Sequence, residues 1–304
     1  MKLTSIITVN FNQPVATIEF LKSVKENTRY NNVEVILVDN ASKEDYGLEF
    51  INAFPNLIYI KSDKNIGFAG GNNLGINKAK GDYLLLLNND TEIAPNLISQ
   101  LVDEIESDPS IGIISPLILY HDSRDIIQYA GFTEMNYLTC RNAGIGSMDK
   151  NIGQYDNDSR QTGYSHGAAM MCRKKDLEVV GLMAENYFLY YEELDWCEQF
   201  RKAGKKIWFT GRTHIFHKES ISVGKESSIK IFFMTRNRML FIRRNTGLIN
   251  TILFSIYYIV LACPKQIYLY IKKGRKDLVK WVFKALLWNV TNTKDSVNLG
   301  YTIK

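Results

Sequence analysis

Apolar residues come in short, dense runs through the first part of the chain. Residues 3–10 (LTSIITVN), 33–40 (VEVILVDN), 57–62 (LIYIKS), 82–90 (DYLLLLNND) and 111–119 (IGIISPLIL) are dominated by aliphatic and β-branched side chains. Such runs predict strands buried on both faces. Between them the spacing lengthens to that of a helix. Pro14 suits a first helical turn, and Val15, Ile18, Leu21 and Val24 are expected on one buried face. A short helix is expected after "SKED", capped by Ser42. "NIGFAGGNNLGINKAKG" reads as a glycine-rich turn opening a helix that stops at Gly81, and residues 95–107 read as another helix. Strands alternating with helices imply an α/β fold with a parallel sheet covered on both faces. Ligands bind such sheets beyond the carboxyl ends of the strands. Asn10, Asp39 and the run Asn88, Asn89, Asp90 stand at strand ends, so they should converge there.

The pattern then loosens. Residues 120–164 are polar and glycine-containing, with irregular strands expected. "SHGAAMMCR" resumes a strand, and "YEELDWCEQFRKAG" is a helix with Leu194, Cys197 and Phe200 inward and Gly204 as its stop. Short strands through "KKIWFTGRTHIFHKES" close this part, with His214 expected to face away from Phe216. From residue 229 on the chain is amphipathic and helical. The resulting division is a body at 1–228 and a helical, basic region at 229–304.

Charge sharpens that division. The net charge of +5 conceals 14 Lys/Arg against 2 Asp/Glu from Ile229 onward, and 23 against 30 before it. A basic end on a slightly acidic body points to an anionic partner. "NTGLINTILFSIYYIVLACP" carries no charge and is long enough to span a bilayer. Polar residues dilute it, and the lysines and aromatics of "KQIYLYIKKGRK" and "KWVFKALLW" suit helices lying in a headgroup layer. Interfacial association with the inner membrane surface is therefore preferred over a true span. Packing on the body or in a homodimer is the alternative. Nucleic acid is excluded as a partner because the tail is too apolar for a solvated phosphate-binding arm. The four cysteines are scattered, without a CxxC pair, which argues against zinc or a disulfide framework. No signal peptide is read at the N-terminus, so cytoplasmic residence is expected.

Several positions offer chemistry, each with a plainer alternative. Asn88, Asn89 and Asp90 supply oxygen donors suited to Mg²⁺ or Mn²⁺, yet the same residues favour simple strand exits. Gly67, Gly70 and Gly71 precede or open a helix without matching GxGxxG or a P-loop. They allow either a tight turn or close approach of a ligand to backbone. Glu192, Glu193, Asp195 and Glu198 crowd one helix start, which raises proton affinity and suits a general base. An acidic helix N-terminus is the ordinary reading. Within this cluster Asp195 and Glu198 read as ordinary helix residues. His166, His214 and His217 are single histidines, a type more often structural than ligating.

Taken in order, "SIITVNFNQ", "VILVDNAS", "NIGFAGGNNLGI", "GDYLLLLNNDTEI", "GAAMMCRKK", "FLYYEELDWCEQFRKAG" and "IFHKES" resemble glycosyltransferase family 2, over roughly residues 2–220. The nearest likeness is to bacterial rhamnosyltransferase-like enzymes. The resemblance implies a GT-A (Rossmann-like), mostly parallel sheet flanked by helices. It implies that Asp39 holds the nucleotide base, with Thr8, Asn10 and Asn12 near base and ribose. Asn65, Gly67, Gly71 and Asn72 would line the nucleotide-sugar pocket, with Asn88 and Asn89 beside it. Asp90 would hold a divalent metal (Mg²⁺ or Mn²⁺) with His217, and Glu193 would be the base, with Glu192 as its neighbour and substitute. Two departures stand out. Glu193 replaces the usual aspartate and is one methylene longer, and Asn88 replaces an acid and so removes a charge. The implied reaction is inverting transfer from a dTDP- or UDP-linked sugar to a glycan or polyisoprenoid-linked acceptor in surface polysaccharide synthesis. The alternatives are a non-catalytic membrane-associated scaffold, or a sugar nucleotidyltransferase, whose basic glycine-rich signature is missing near the N-terminus.

Overall fold

The structure, a computed structural model, describes residues 2–218 and 227–303. The last two residues of "IFHKES" therefore lie outside the described residues. The chain runs β1 (Thr4–Asn10), α1 (Pro14–Asn27), β2 (Val33–Asp39), α2 (Gly47–Ala53), β3 (Leu57–Lys61), α3 (Gly67–Lys78), β4 (Tyr83–Leu87) and β5 (Thr91–Ile93). It continues through α4 (Leu97–Ser107), β6 (Ile111–Tyr120), β7 (Ile127–Tyr129), β8 (Ser159–Gln161), β9 (Ala169–Arg173), α5 (Leu177–Val180), α6 (Glu192–Lys202) and β10 (Lys206–His217). The C-terminal helices are α7 (Ser228–Asn245), α8 (Leu248–Tyr257), α9 (Cys263–Lys272) and α10 (Val279–Thr291).

One sheet orders the strands β3-β2-β1-β4-β9-β6-β10-β5, with β7 beside β6 and β8 beside β10. β3, β2, β1 and β4 are mutually parallel, and β10 is parallel to β6. The sheet is not wholly parallel, because β9 runs antiparallel between β4 and β6. This reversal matters to the site. It brings the amino end of β9 to the edge where the neighbouring strands have their carboxyl ends. β4 shows why the sheet holds: Leu84 to Leu87 are at most 3% exposed. Burial of each leucine contributes about 1.5–3 kcal/mol.

Local expectations shift where side chains find better partners. α1 buries Phe20, Leu21 and Val24 while Val15 is 69% exposed, so its inward face is turned towards the bulky Phe20. Ser42 does not cap α2, which starts at Gly47. Its hydroxyl instead accepts from Asn10 Nδ2 and Asn12 N. α3 ends at Lys78, before Gly81. His214 and Phe216 share a face, their rings meeting edge-on at 5.1 Å, as the two-residue period of a strand requires. Residues 120–164 contain β7, β8 and isolated bridges. The four cysteines are buried free thiols.

The helical C-terminal region shares the core of the sheet. Leu240, Phe241 and Ile242 of α7 and Trp288 of α10 join one apolar cluster with Ile7, Ile36 and Trp196. α8 and α9 are joined through a π-helical turn at Tyr258–Ala262, giving one 25-residue helix from Leu248 to Lys272.

Candidate active site

The carboxyl end of β2 begins the site. Asp39 is fully buried; its Oδ2 accepts from Asn10 Nδ2 at 2.7 Å and its Oδ1 from Ser42 N at 2.8 Å. Asn10 Oδ1 accepts from the Thr17 hydroxyl at 2.9 Å, and Asn12 Oδ1 receives Lys43 N. Thr8 is buried, and its hydroxyl has no hydrogen-bond partner among the described residues. Asn40, next to Asp39, accepts Ile66 N and donates to Asn65 Oδ1 and to the Gly67 carbonyl.

The glycines of α3 serve close packing. Gly67 has φ +77°, and a Cβ there would stand 2.2 Å from the Phe188 carbonyl oxygen. A Cβ on Gly71 would press on Val9 at 2.8 Å, so its contact is strand β1. Asn72 donates to the Phe68 carbonyl one turn back. Gly67 thus brings the start of α3 against the loop before α6, where Phe68 N donates to Phe188 O at 2.8 Å.

Beyond β4, Asn88, Asn89 and Asp90 make the turn into β5, so the plain turn reading holds for the backbone. The side chains do more. Asn89 Nδ2 donates to Thr17 Oγ1 at 2.8 Å. Asp90 Oδ1 is buried without a hydrogen bond among the described residues, and lies 3.2 Å from His217 Nε2. His217 Nδ1 bonds Gln128 Oε1 at 2.8 Å, and Asn88 Nδ2 lies 3.4 Å from Nε2. An amide oxygen accepts only, so Nδ1 carries a proton and Nε2 is left for another partner. A histidine held through its second nitrogen is the arrangement metal-binding imidazoles adopt. Among the described residues no group of three His, Cys, Asp or Glu stands ready for a cation. Asp90 and His217 are therefore a partial set that phosphate oxygens and water can complete, as Mg²⁺ prefers.

The acids of α6 divide sharply. Asp195 accepts from Tyr187 at 3.0 Å and Asn245 at 2.6 Å and pairs with Arg244. Glu198 accepts from Tyr137, Tyr164 and Arg201. Glu192 is 3% exposed, with Oε2 unpartnered among the described residues. Burial raises its proton affinity well above the ordinary carboxylate range, and Glu193 beside it adds to the rise. Burial raises Glu193 in the same direction. Glu193 packs on Gly167, where a Cβ would meet its Cγ at 3.7 Å. Next to Gly167, His166 lies edge-on to His217 at 5.9 Å between ring centroids. Its Nδ1 accepts Ala168 N, and burial holds the ring neutral, with its pKa lowered to about 3.

These contacts connect the three corners. One path runs from Asp39 through Asn10, Thr17 and Asn89 to Asp90, then through His217 and His166 to Gly167 and Glu193. A second runs from Asn40 through Gly67 and Phe188 to the loop that opens α6. The sequence matches the model of glycosyl transferase family 2 over residues 5–181, more than half of the chain. The chain belongs to that family.

Within it, the chain is 28% identical over 212 residues to a low-salt glycan biosynthesis hexosyltransferase of Haloferax volcanii, covering 68% of this chain and 66% of the relative. It is 22% identical over 214 residues to an N-acetylglucosaminyl-diphospho-decaprenol L-rhamnosyltransferase of Mycobacterium tuberculosis, covering 64% of this chain and 69% of that protein. The match to a Sinorhizobium fredii protein spans only 24% of its length. The fold is GT-A. It superposes on S. aureus TarS 1–349 in complex with UDP-GlcNAc with a TM-score of 0.60 at 13% identity, covering 95% of this chain and 81% of that one. It superposes on a Pyrobaculum calidifontis mannosyltransferase in complex with GDP-Man and Mn²⁺ with a TM-score of 0.58 at 12% identity, covering 95% and 87%.

Sequence reasoning missed several residues that build this candidate site. Thr17 and Gln128 are single polar residues on a helix and a short strand, with no motif to betray them. Arg236 and Asn237 lie inside the basic tail. Both are 0% exposed, and a polar pair buried in an apolar helix was the available signal. Asn237 Nδ2 lies 3.0, 2.8 and 2.7 Å from the carbonyl oxygens of Tyr187, Leu189 and Tyr190.

Proposed function

We propose that this family 2 chain is an inverting glycosyltransferase that uses a nucleoside-diphosphate sugar, dTDP- or UDP-linked, and a glycan or polyisoprenoid-linked acceptor. The observation that supports the reading is the series of neighbours, linked by hydrogen bonds, ring contact and chain adjacency, that leads from Asp39 through Asp90 and His217 to Gly167 beside Glu193. Asp39, held rigid by Asn10 and Ser42, faces the base. Asp90 and His217 would hold Mg²⁺ or Mn²⁺, which would supply Lewis-acid neutralisation of charge on the diphosphate. Glu193 takes the proton of the acceptor hydroxyl as that oxygen attacks the anomeric carbon, and the nucleoside diphosphate leaves from the opposite face. An acid with raised proton affinity is suited to this work near neutral pH. Glu192 keeps a second buried carboxyl beside it, and the pair shares the burden of the buried charge. The rhamnosyltransferase named above makes a lipid-linked acceptor and a deoxyhexose donor the first to try. The likeness to a glycan biosynthesis hexosyltransferase supports a place in surface polysaccharide synthesis.

A thermal-shift panel of nucleotide sugars with and without Mn²⁺ tests this reading. One nucleotide sugar should stabilise the protein in a Mn²⁺-dependent way, and Asp90→Asn should remove the metal dependence. Failure of every nucleotide sugar to stabilise the chain would favour a scaffold that keeps the fold without turnover.

A further inference from the structure

We propose that the outward faces of α8, α9 and α10 form a docking surface for the headgroup layer of an anionic bilayer. The helix from Leu248 to Lys272 has two unlike sides. Phe254, Tyr258, Cys263 and Tyr270 are buried, and its segments pack on α7 and α10. The other side exposes Ile249 (75%), Ile252 (49%), Ile256 (57%) and Val260 (62%), a stripe at helical spacing. Phe283 and Leu287 of α10 are likewise exposed, at 58% and 60%. Between α9 and α10 an apolar groove of about 350 Å³ is lined by residues including Pro264, Ile267, Ile271 and Leu286. Contiguous apolar surface of this kind marks an interaction site.

Charge selects the occupant. Residues 248–291 carry seven Lys/Arg against the single Asp277, and Lys280 and Lys284 flank the ring of Trp281. Apolar side chains to enter the acyl boundary, cations for anionic headgroups and an aromatic at the interface are the requirements of an in-plane helix. The helix lies in the interface and does not cross it. Its inner side is fastened to α7, which is buried with the sheet, and to α10, whose Lys280 and Lys284 would be carried into hydrocarbon by a crossing.

Flotation of the full chain with vesicles tests this. Vesicles of phosphatidylcholine and phosphatidylglycerol should bind the protein, and phosphatidylcholine alone should bind it weakly. Lys280→Gln with Lys284→Gln should cut partitioning by about tenfold or more. Ile252→Asp with Ile256→Asp should abolish it while leaving the melting temperature and turnover on a soluble acceptor unchanged. Absence of binding to both vesicles would overturn the proposal. So would a lipid-free dimer that Ile256→Asp dissociates, because the face would then belong to a second copy.

A separate observation carries a second inference, which rests on Glu193 as the base. Phe188, Tyr190 and Tyr191 take φ of 65°, 71° and 77°, a region costly for side chains of this size, immediately before Glu192 and Glu193. Asn237 binds the carbonyls of this loop, and Arg236 Nε donates to Asn237 Oδ1 at 2.8 Å, which turns the amide nitrogen towards them. Arg236 Nη2 donates to the Asn186 and Tyr187 carbonyls. We infer that Arg236 and Asn237 are positioning residues that hold the strained loop and hence the base. Asn237→Ser should lower kcat by about a hundredfold with the donor KM within about twofold. Arg236→Lys gives the same split should Asn237→Ser not fold. Unchanged kcat per folded molecule in a folded variant would reduce the pair to a structural role. Loss of turnover in Glu193→Gln without loss in these variants would leave the base in place and remove only this inference.

Discussion

Successive turns of α6 hold two pairs of acids in opposite circumstances. Asp195 and Glu198 are saturated: tyrosines, an asparagine and arginines satisfy them from α7 and from the loops around Tyr137 and Tyr164. Glu192 and Glu193, one turn earlier, are buried or half-buried, lack such partners and are pushed towards the protonated form. Asp39 is intermediate: each of its oxygens accepts one bond, from Asn10 or from Ser42, and keeps a lone pair for a base, whereas Asp90 Oδ1 accepts none among the described residues. Saturated carboxylates fix structure. Unsaturated ones at a sheet edge are held ready for something outside the chain.

The comparison breaks most visibly in turnover. Glu193→Gln should lower kcat by roughly 10²–10⁴-fold, the usual worth of a general base, whereas Glu198→Gln should leave kcat per folded molecule nearly intact. Equal losses in steady-state assays would erase the distinction. Asp195→Ala should act on stability, costing roughly 1–3 kcal/mol by leaving the buried Tyr187 hydroxyl without its acceptor, while Arg244 keeps Asp295, read by denaturant unfolding. Gly67→Ala should cost roughly 1–3 kcal/mol, because a left-handed residue gains a Cβ against the Phe188 carbonyl.

The smallest expected effect concerns pH. A buried acid with raised proton affinity contributes stability below the ordinary carboxylate pKa, and that contribution is lost as pH rises through its folded value. Glu192→Gln should therefore unfold at higher temperature than the natural chain near neutral pH, with the difference shrinking towards acid. A difference that instead grows towards acid would show that Glu192 is ionised and paired.

The sequence made the sheet readable because buried strands advertise themselves as aliphatic runs, and their polar last residues named one edge. What it hid depends on tertiary partners. Nothing in "SHGAAMMCR" says that β9 reverses, yet that reversal brings His166 and Gly167 beside His217 and Glu193. Ser42 looks like a helix cap until Asn10 and Asn12 are seen to claim its hydroxyl. Gly71 looks open to a ligand until Val9 is found against it. The acids of α6 were legible as a cluster. Their division depended on Asn245, Arg244 and Tyr164, which no local pattern connects to them.

A crystal structure of the protein with Mn²⁺ and a nucleoside diphosphate tests the central claim most directly. Anomalous scattering should place Mn²⁺ against Asp90 and His217, with the base against Asp39 and Glu193 facing the open side of the diphosphate. The account is contradicted if the nucleotide settles elsewhere, such as the cavity of about 580 Å³ lined by Lys2, Lys80, Asp82 and Lys175.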